Sequence, residues 1–347
     1  MIMCSNVCST PRQPLVCICI PCFNNERTIG FTLESILGQT YKEFIIKVFD
    51  NASTDATVSI VKEFIRRGVN IQLTERAVNI GGEGNFNECI KAAEGDYTAI
   101  FHADDVYDSD IVAIEVSFLQ KNLSCSAVST HARLIDGNGV ELDKKFLPEE
   151  LRLSAHKVLS REEFRRLVYK YGNFITCPSV LFRTASLKEE VVTFRNEHFA
   201  SSSDLDVWLR LASRGGMGFI RRELMSYRVS AASFSYNRIS RRVADADMFL
   251  VLNYHLNDPG ISSSLRAELA HYRDFLLLRD RASTNINRLI LEVSPYQSMP
   301  VWRSAHLALS SSFHFKAFLL SLAVKLFISI PVTRSLGATI KRWRYGR

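Results

Sequence analysis

Apolar and polar residues alternate in blocks along the first 120 residues. Short apolar runs predict buried strands, and each is followed by a segment in which apolar residues recur at helical spacing. The predicted strands are residues 15–20, 44–49, 71–73 and 97–101, and the predicted helices are residues 28–37, 56–67, 85–93 and 110–120. Strand–helix alternation is typical of a mostly parallel sheet covered by helices, which predicts an α/β fold. In such sheets ligands bind beyond the carboxyl ends of the strands.

The pattern changes after about residue 125. Residues 132–135 and 140–142 flank Asp136-Gly137-Asn138-Gly139, which predicts a hairpin. Further on, the pattern predicts a helix at 160–171, a strand at 179–182, a helix at 204–213, and only helices beyond 236. Gly81, Gly82 and Gly84 predict a flexible loop. We therefore divide the chain into residues 1–118, 119–235 and a C-terminal helical region, 236–347.

An acidic pair, Asp104 and Asp105, follows the fourth predicted strand. Adjacent carboxylates repel each other unless a cation or solvent relieves the repulsion. A divalent metal held by one or two carboxylates and by substrate phosphates is a common arrangement. The pair can equally be a turn or a helix cap, so its position alone does not decide its role.

Polar loops also follow the first two predicted strands. In the first, Phe23 can stack on a base or pack under the loop. In the second, Asp50 and Asn51 can read a pyrimidine edge, while Thr54 or Asp55 caps the next helix. The first loop lacks glycine, so the dinucleotide-binding fingerprint is missing from the place it needs.

Asp204 lies where the helix predicted at 204–213 begins. The helix dipole favours a negative charge there, and an ionised carboxylate in a cleft can act as a general base. The simpler alternative is that Asp204 only caps the helix.

Together these segments resemble the bacterial family-2 glycosyltransferases, which have the GT-A fold. The resemblance is close from Val16 to about Phe118 and looser from Gly172 to about Ser235. It is carried by Ile20-Pro21-Cys22-Phe23-Asn24-Asn25-Glu26, residues 32–41, Asp50-Asn51-Ala52-Ser53-Thr54-Asp55, Ala103-Asp104-Asp105 and Ser203-Asp204.

The resemblance implies a GT-A-like sheet in which residues 1–118 bind a nucleotide sugar and residues 119–235 bind the acceptor. It also implies a role for each matching residue: Pro21, Phe23, Asn25, Asp50, Asn51 and Asp104 in donor binding, Asp105 with Asp104 in binding Mn²⁺ or Mg²⁺, and Asp204 as the catalytic base. Transfer would then occur by single displacement, with inversion at the anomeric carbon.

Three positions depart from the family pattern. His102 stands where many relatives have aspartate, and Ser203 replaces the usual glutamate before Asp204. The segment Tyr227-Arg228-Val229-Ser230 lacks a histidine that often ends it. The first departure removes an outer carboxylate, and the second can change how the base is held in position. The third puts one contact with a phosphate or a metal in doubt.

Charge and composition bear on partners and location. The net charge of +7 indicates an anionic partner, or only the mild basic excess of many proteins. The apolar segment 313–327, broken by Lys316 and Lys325, precedes a basic, aromatic tail. This suits an anionic membrane surface, or a helix packed on the sheet domain.

No uncharged apolar run reaches 18 residues, so no spanning helix is expected. The cysteine pattern suggests reduced thiols and the cytosol.

The expected function is therefore metal-dependent, inverting transfer of a hexose or N-acetylhexosamine. The donor would be a nucleotide sugar, first of all a UDP-sugar, and the acceptor a glycan or lipid-linked hydroxyl in O-antigen, capsule or exopolysaccharide synthesis. The alternatives are an inactive sugar-nucleotide-binding protein and a sugar nucleotidyltransferase, although the latter's Gly-rich basic loop is missing. Nucleic-acid binding explains the positive charge but not the acidic loops.

Overall fold

The computed structural model describes residues 12–142, 146–229 and 242–330. The strands are β1 (Val16–Cys22), β2 (Phe44–Asp50), β3 (Ile71–Glu75), β4 (Tyr97–Ile100), β5 (Val106–Tyr107), β6 (Cys125–Ile135), β7 (His156–Leu159), β8 (Val180–Arg183) and β9 (Gly216–Arg228). The α-helices are α1 (Ile29–Leu37), α2 (Thr57–Arg66), α3 (Gly82–Ala92), α4 (Ile111–Lys121), α5 (Arg161–Tyr171), α6 (Thr184–Ser186), α7 (Asn196–Phe199), α8 (Ser203–Arg214), α9 (Met248–Leu256), α10 (Ser263–Leu291) and α11 (Ser312–Ser329). Short 3₁₀ segments lie at Glu149–Leu151, Cys177–Ser179, Ala200–Ser202 and Val301–Ser310, and a π-helical turn lies at Leu187–Val191.

The strands form one mixed sheet in the order β3-β2-β1-β4-β8-β6-β9-β5, with β7 paired to β9. β1 runs parallel to both β2 and β4, and β2 runs parallel to β3. β8 lies antiparallel between β4 and β6 and joins the two halves of the sheet. The predicted α/β class is confirmed. The strand–helix alternation of the N-terminal half produces the parallel pairing among β1 to β4, and parallel pairing recurs in the second half between β6 and β9.

The N-terminal strands are short apolar runs because both faces of this part of the sheet are covered. In β1, residues 16–20 are completely buried on both faces of the sheet. Cys17 and Cys19 point to one face and the bulkier Val16, Ile18 and Ile20 to the other. Parallel strands covered by helices on both faces have such uninterrupted apolar sequences. This burial fixes β1, β2 and β4 side by side and brings the loops that follow them to one edge.

The sequence prediction missed most of the second half of the sheet. β6 begins at Cys125, seven residues before the predicted strand, and its polar residues Ser129 and Thr130 are buried. β7 and β9 were not predicted. The predicted hairpin is reduced to one isolated bridge between Ile135 and Glu141. Polar residues inside β6 and β9 hid the strand pattern, and long-range pairing supplied what local sequence did not.

The predicted glycine loop is also wrong in part. Gly82 and Gly84 belong to the first turns of α3, and only Gly81, at φ +80°, precedes the helix. A positive φ is one that glycine adopts without steric cost. The chain therefore turns sharply at Gly81 and enters the helix at once.

Among residues 242–330 the C-terminal region contains helices and connecting segments only, as predicted. α10 and α11 contribute to a small separate core around Leu278, Ala282 and Val324. By length and composition, α11 is the one helix in the described ranges that could cross a membrane, and 22% of it is buried. This differs from the sequence expectation, because α11 reaches the required apolar length despite Lys316 and Lys325. The basic tail, 331–347, lies outside the described residues.

The close packing of α4 against β6 and β9 predicts a stability difference between two glycine substitutions. A Cβ at Gly218 in β9 would overlap the Phe118 ring and lie 2.9 Å from Val128 Cγ2. Gly218→Ala should therefore destabilise the fold by about 1–3 kcal/mol. In α1, a Cβ at Gly30 meets only Ile60, at 3.9 Å. Gly30→Ala should stabilise the fold by about 0.5–1 kcal/mol. Urea unfolding of both variants checks the pair, and equal effects would contradict this packing.

Candidate active site

A tightly held turn carries the acidic pair at the edge of the sheet. We call residues 102–105, which follow β4, the acidic turn. The Thr32 hydroxyl donates to the Asp105 carbonyl oxygen at 2.7 Å. The Arg228 backbone N–H donates to Asp105 Oδ1 at 2.8 Å, and Arg228 Nε donates to the Asp104 carbonyl oxygen at 2.8 Å. Asp105 is fully buried, whereas Asp104 is half-buried and faces the edge. Thr32 and Arg228 were not predicted as site residues, because their role depends on contacts distant in sequence.

The acidic turn has the donor set of a metal site. One ligand atom each from His102, Asp104 and Asp105 lie within 4.8 Å of one another. His102 Nδ1 is 3.8 Å from Asp105 Oδ2, and the buried His102 Nε2 has no hydrogen-bond partner within the described part of the chain. Burial lowers the pKa of His102, although the charge of Asp104 opposes the shift. Neutral imidazole and carboxylate are both ligands of Mn²⁺-type cations. The residues therefore fit a divalent cation, and His102 offers a ring nitrogen at the position of the missing outer carboxylate.

The loop after β1 presents an exposed aromatic ring. β1 lies beside β4, the strand that the acidic turn follows. Phe23 is 45% exposed, so its ring is not packed under the loop. Asn25 holds the loop: its side-chain oxygen accepts from the Phe23 N–H at 2.8 Å, and its own N–H donates to Thr57 Oγ1 at 2.7 Å. Pro21 is half-buried within β1. The geometry leaves the Phe23 ring available for stacking, while the side-chain oxygen of Asn25 serves the loop itself.

Asp50 and Asn51 are both nearly buried at the end of β2, each 2% exposed. Asp50 Oδ2 accepts from the Ser53 N–H at 3.0 Å. The Asn51 amide donates to Asn79 Oδ1 and to the Gly81 carbonyl, both at 3.0 Å, and accepts from the Ile80 N–H at 2.9 Å. In this arrangement Asn51 positions the segment before α3 rather than presenting its amide to a donor. The predicted contact of Asn51 with the base or ribose stays a prediction, and these bonds give Asn51 a supporting role in the loop.

α3 connects the donor side of the edge to the predicted base. Asn85 Nδ2 donates to the Phe49 carbonyl at 2.8 Å, which fixes the helix to β2. The Phe86 ring meets His102 edge-on at 5.3 Å between centroids. The Ser203 hydroxyl donates to Glu83 Oε1 at 3.5 Å, which brings the start of α8 against the start of α3. The sequence prediction missed this helix start because it treated the surrounding glycines as a loop.

Asp204 lies in the first turn of α8, which begins one residue before the predicted boundary. The helix begins at Ser203, so Asp204 is not the cap residue. Its Oδ2 accepts from Asn173 Nδ2 at 2.8 Å, and its Oδ1 accepts from the Leu205 N–H at 2.7 Å. These hydrogen bonds hold the carboxylate in place at the N-terminus of the helix. Asp204 is half-buried and therefore keeps access to solvent.

A buried ionic cluster anchors α8 two residues further on. Asp206 is fully buried and is paired with Arg195, Arg210 and His255, whose Nε2 lies 2.8 Å from Asp206 Oδ1. Burial alone would raise the pKa of Asp206, but the hydrogen bonds with His255 and Arg195 lower it to about 2. Because His255 belongs to α9, this cluster ties the helix of the predicted base to the C-terminal region.

A cavity of about 480 Å³ lies beside the same cluster, lined in part by Arg195, Arg210 and His255. None of the residues predicted to bind donor or metal lines it. The cavity is therefore separate from the acidic turn, and the arginines that line it already pair with carboxylates.

Comparison with known proteins identifies the family. The profile described as Glycosyl transferase family 2 matches residues 17–189, about half of the chain. The chain belongs to glycosyltransferase family 2. This confirms the predicted family, and the transferase class follows from it. The match covers the acidic turn and the loops after β1 and β2, whereas Asp204 lies beyond it.

Named relatives and solved structures agree with this family. MJ1057 of Methanocaldococcus jannaschii, a glycosyltransferase of uncharacterized activity, is 26% identical over 233 residues, 66% of this chain and 76% of its own. Staphylococcus aureus TarS, a poly(ribitol-phosphate) beta-N-acetylglucosaminyltransferase, is 26% identical over 185 residues, 52% of this chain and 29% of its own.

The structure of TarS 1–349 with UDP-GlcNAc superposes with a TM-score of 0.63 at 17% identity, covering 96% of this chain and 93% of that one. The mannosyltransferase PcManGT of Pyrobaculum calidifontis, solved with GDP-Man and Mn²⁺, superposes with a TM-score of 0.57 at 17% identity, covering 96% and 89%. At this identity the likeness shows the fold, and it confirms the predicted GT-A class.

The cluster around Asp206 predicts a specific pH dependence of stability. Because the pKa of Asp206 falls to about 2 from an ordinary 3.8, its contribution is present above about pH 4 and is lost as the pH falls towards 2. That loss amounts to about 2 kcal/mol. Asp206→Asn should cost about 3 kcal/mol at neutral pH, because it leaves buried cations unpaired. Its stability should also fall less steeply with acid than that of the parent chain.

Urea unfolding at several pH values checks this, with Asp110→Asn as the control, since the Asp110 side chain is 47% exposed. Parallel curves for the parent chain and Asp206→Asn would contradict the assignment.

Proposed function

We propose that this glycosyltransferase moves a sugar from a UDP-sugar to an acceptor hydroxyl, with inversion, in the synthesis of a cell-surface polysaccharide. The observation that carries the proposal is a continuous set of contacts along one sheet edge. It runs from the acidic turn through α3 to the start of α8, where Asp204 lies. A site that holds a leaving diphosphate at one end and a base at the other suits single displacement of the sugar.

The donor would lie across the carboxyl ends of β1, β2 and β4. The exposed Phe23 ring offers a stacking surface for the base, and Pro21 and Asp50 would line the pocket of the nucleoside. Stacking is tolerant of base identity, so it does not by itself select uracil. The choice of UDP over GDP is supported by the superposition with TarS bound to UDP-GlcNAc, which has the higher TM-score.

His102, Asp104 and Asp105 would hold Mn²⁺ or Mg²⁺. When bound, such a cation neutralises the charge that develops on a departing nucleoside diphosphate. The superposition with PcManGT, solved with Mn²⁺, supports the manganese assignment. Arg228 and Thr32 keep the turn in place, so the two carboxylates need little rearrangement when a donor arrives.

Asp204 would remove the proton from the acceptor hydroxyl. The acceptor oxygen then forms a bond to the anomeric carbon, while the bond from that carbon to the diphosphate oxygen breaks. The proton ends on Asp204, and the bonding electrons leave with the nucleoside diphosphate. The Asn173 amide, which donates to Asp204 Oδ2, would orient the carboxylate for this step.

The acceptor would be a polymer or lipid-linked glycan that carries a free hydroxyl. The name of TarS, which acts on poly(ribitol-phosphate), supports a polymer of the cell surface. We place the reaction in the cytosol, supported by the six described cysteines, which are all free. The alternative of an inactive nucleotide-sugar-binding protein keeps the donor site but predicts no turnover.

Asp204→Asn separates catalysis from donor binding. The variant should lose sugar transfer by about 10²–10⁴-fold, since the amide cannot accept the acceptor proton. Its affinity for UDP in the presence of Mn²⁺ should remain within about threefold, because Asp204 lies beyond the donor loops. Release of UDP from UDP-N-acetylglucosamine, with poly(ribitol phosphate) as the probe acceptor, measures the first. Calorimetric titration with UDP and GDP measures the second.

The control is Asp110→Asn, which removes an exposed carboxylate of the same chain and should leave both quantities unchanged. Full turnover by Asp204→Asn would remove Asp204 from the mechanism. Tight UDP binding without turnover by the parent chain, with every probe acceptor, would favour the inactive alternative.

A further inference from the structure

The net positive charge of the chain arises at its C-terminal end. Residues 293–347 contain eight lysines and arginines and no aspartate or glutamate. Because the whole chain has 43 basic and 36 acidic residues, residues 1–292 hold 35 basic and 36 acidic residues. The catalytic part is thus almost neutral, and an anionic partner would be attracted to the C-terminal 55 residues only.

Within this basic region, α11 exposes an apolar face. His314, Ala317, Ser321 and Val324 lie on its buried side. On the other side Phe315, Leu319 and Leu326 are 46%, 47% and 60% exposed, and Ile330, which directly follows the helix, is 51% exposed. We call these four residues the apolar stripe. The spacing of 4 and 7 residues places Phe315, Leu319 and Leu326 on one face of a helix that advances about 100° per residue.

Two lysines border the apolar stripe. At about 100° per residue, Lys316 and Lys325 lie about 180° apart around the helix, roughly 90° to either side of the stripe. Long lysine side chains at such positions bury their methylene groups beside apolar surface and keep the ammonium in the polar phase. An apolar face between two rows of cations is the pattern of a helix that lies in a membrane interface.

The stripe is presented by a helix fixed to the rest of the molecule. The Ser312 hydroxyl donates to Glu149, and the Phe313 ring packs against Phe146 and Tyr171 at 5.0 and 5.1 Å between centroids. Nearby, Trp302 is 69% exposed and its ring lies 6.3 Å from that of Phe318. Tryptophan is enriched at membrane interfaces. The apolar face is therefore a formed surface of the described structure.

We propose that the apolar stripe, with Lys316 and Lys325, docks this protein on an anionic lipid surface, with α11 lying in the plane of the interface. The charge is complementary, and five of the other six basic residues of the C-terminal end follow α11 in sequence. A spanning orientation is disfavoured, because Leu278 and Ala282 of α10 pack in one core with Val324 of α11. Inserting α11 across the bilayer would carry their neighbours Asp280 and Arg281 into hydrocarbon.

A second copy of the chain is a poorer occupant. Pairing two apolar stripes would bring together two C-terminal ends that each carry eight cations and no anion. Like charges brought together across an interface disfavour association, whereas anionic headgroups relieve them. The lipid surface therefore explains both the stripe and the charge, independently of the transfer reaction.

Flotation of the full-length chain with phosphatidylcholine vesicles, with and without phosphatidylglycerol, tests this inference. The chain should float with the anionic vesicles, bind neutral ones much less, and be released by high salt or alkaline carbonate. Leu319→Glu with Leu326→Glu should lower the partition coefficient at least about tenfold, because each change removes an exposed apolar side chain that the lipid would bury on binding. The matched control is Leu123→Glu with Leu153→Glu, two exposed leucines of the catalytic part, which should bind like the parent chain.

Three results would overturn the proposal. The parent chain could remain unbound at low salt, or the two double variants could bind equally. Resistance to carbonate extraction would indicate a spanning helix instead. Sedimentation equilibrium tests whether a second copy of the chain covers the stripe instead. If the parent chain is a dimer that binds no vesicles, and Leu319→Glu with Leu326→Glu dissociates it, the face would be assigned to a second copy. UDP binding by each variant reports that the catalytic part is intact.

Discussion

The hydrogen bonds between Arg228 and the acidic turn are the contacts on which the site depends. Arg228 ends β9, in the second half of the sheet, and the turn follows β4, in the first half. The Arg228 backbone fixes the Asp105 carboxylate, and its side chain fixes the Asp104 carbonyl and the Asp136 and Gly137 carbonyls. Two neighbouring carboxylates repel each other, so they keep a fixed position only if the surrounding structure holds them. The site thus forms where the halves of the sheet meet.

A series of contacts connects the site to the C-terminal helices. α3 links β2, His102 and Ser203, and α8 carries Asp204 at its exposed start. The Asp206 cluster then ties α8 to α9 through His255. Since α9 packs on α10, and α10 on α11, the surface proposed to meet lipid belongs to the same set of packed helices as Asp204, the proposed base. Docking of α11 on a membrane would therefore hold the site near an acceptor in that membrane.

The sequence predicted those features that depend on local pattern. The strands β1, β2 and β4 are mostly apolar runs, so the positions of Phe23, Asp50 and Asp104 at their carboxyl ends were located correctly. It could not show what contacts between distant residues decide. The position of His102 beside Asp104 and Asp105 is seen only in the structure, as are the hydrogen bonds of the Asn51 amide with residues 79–81. The predicted contact of Asn51 with the donor stays a prediction. β9 was missed because Arg221, Arg222 and Glu223 interrupt its apolar pattern.

Manganese binding measured directly, by electron paramagnetic resonance in the presence of UDP, is the most decisive test of the claim that the acidic turn holds the cation beside the departing diphosphate. Asp105→Asn keeps the shape of the side chain and its bond with the Arg228 N–H but removes the charge. This variant should bind manganese at least about tenfold more weakly than the parent chain. The increase in UDP affinity that manganese causes should be lost as well. Unchanged manganese and UDP affinities in Asp105→Asn would contradict the account.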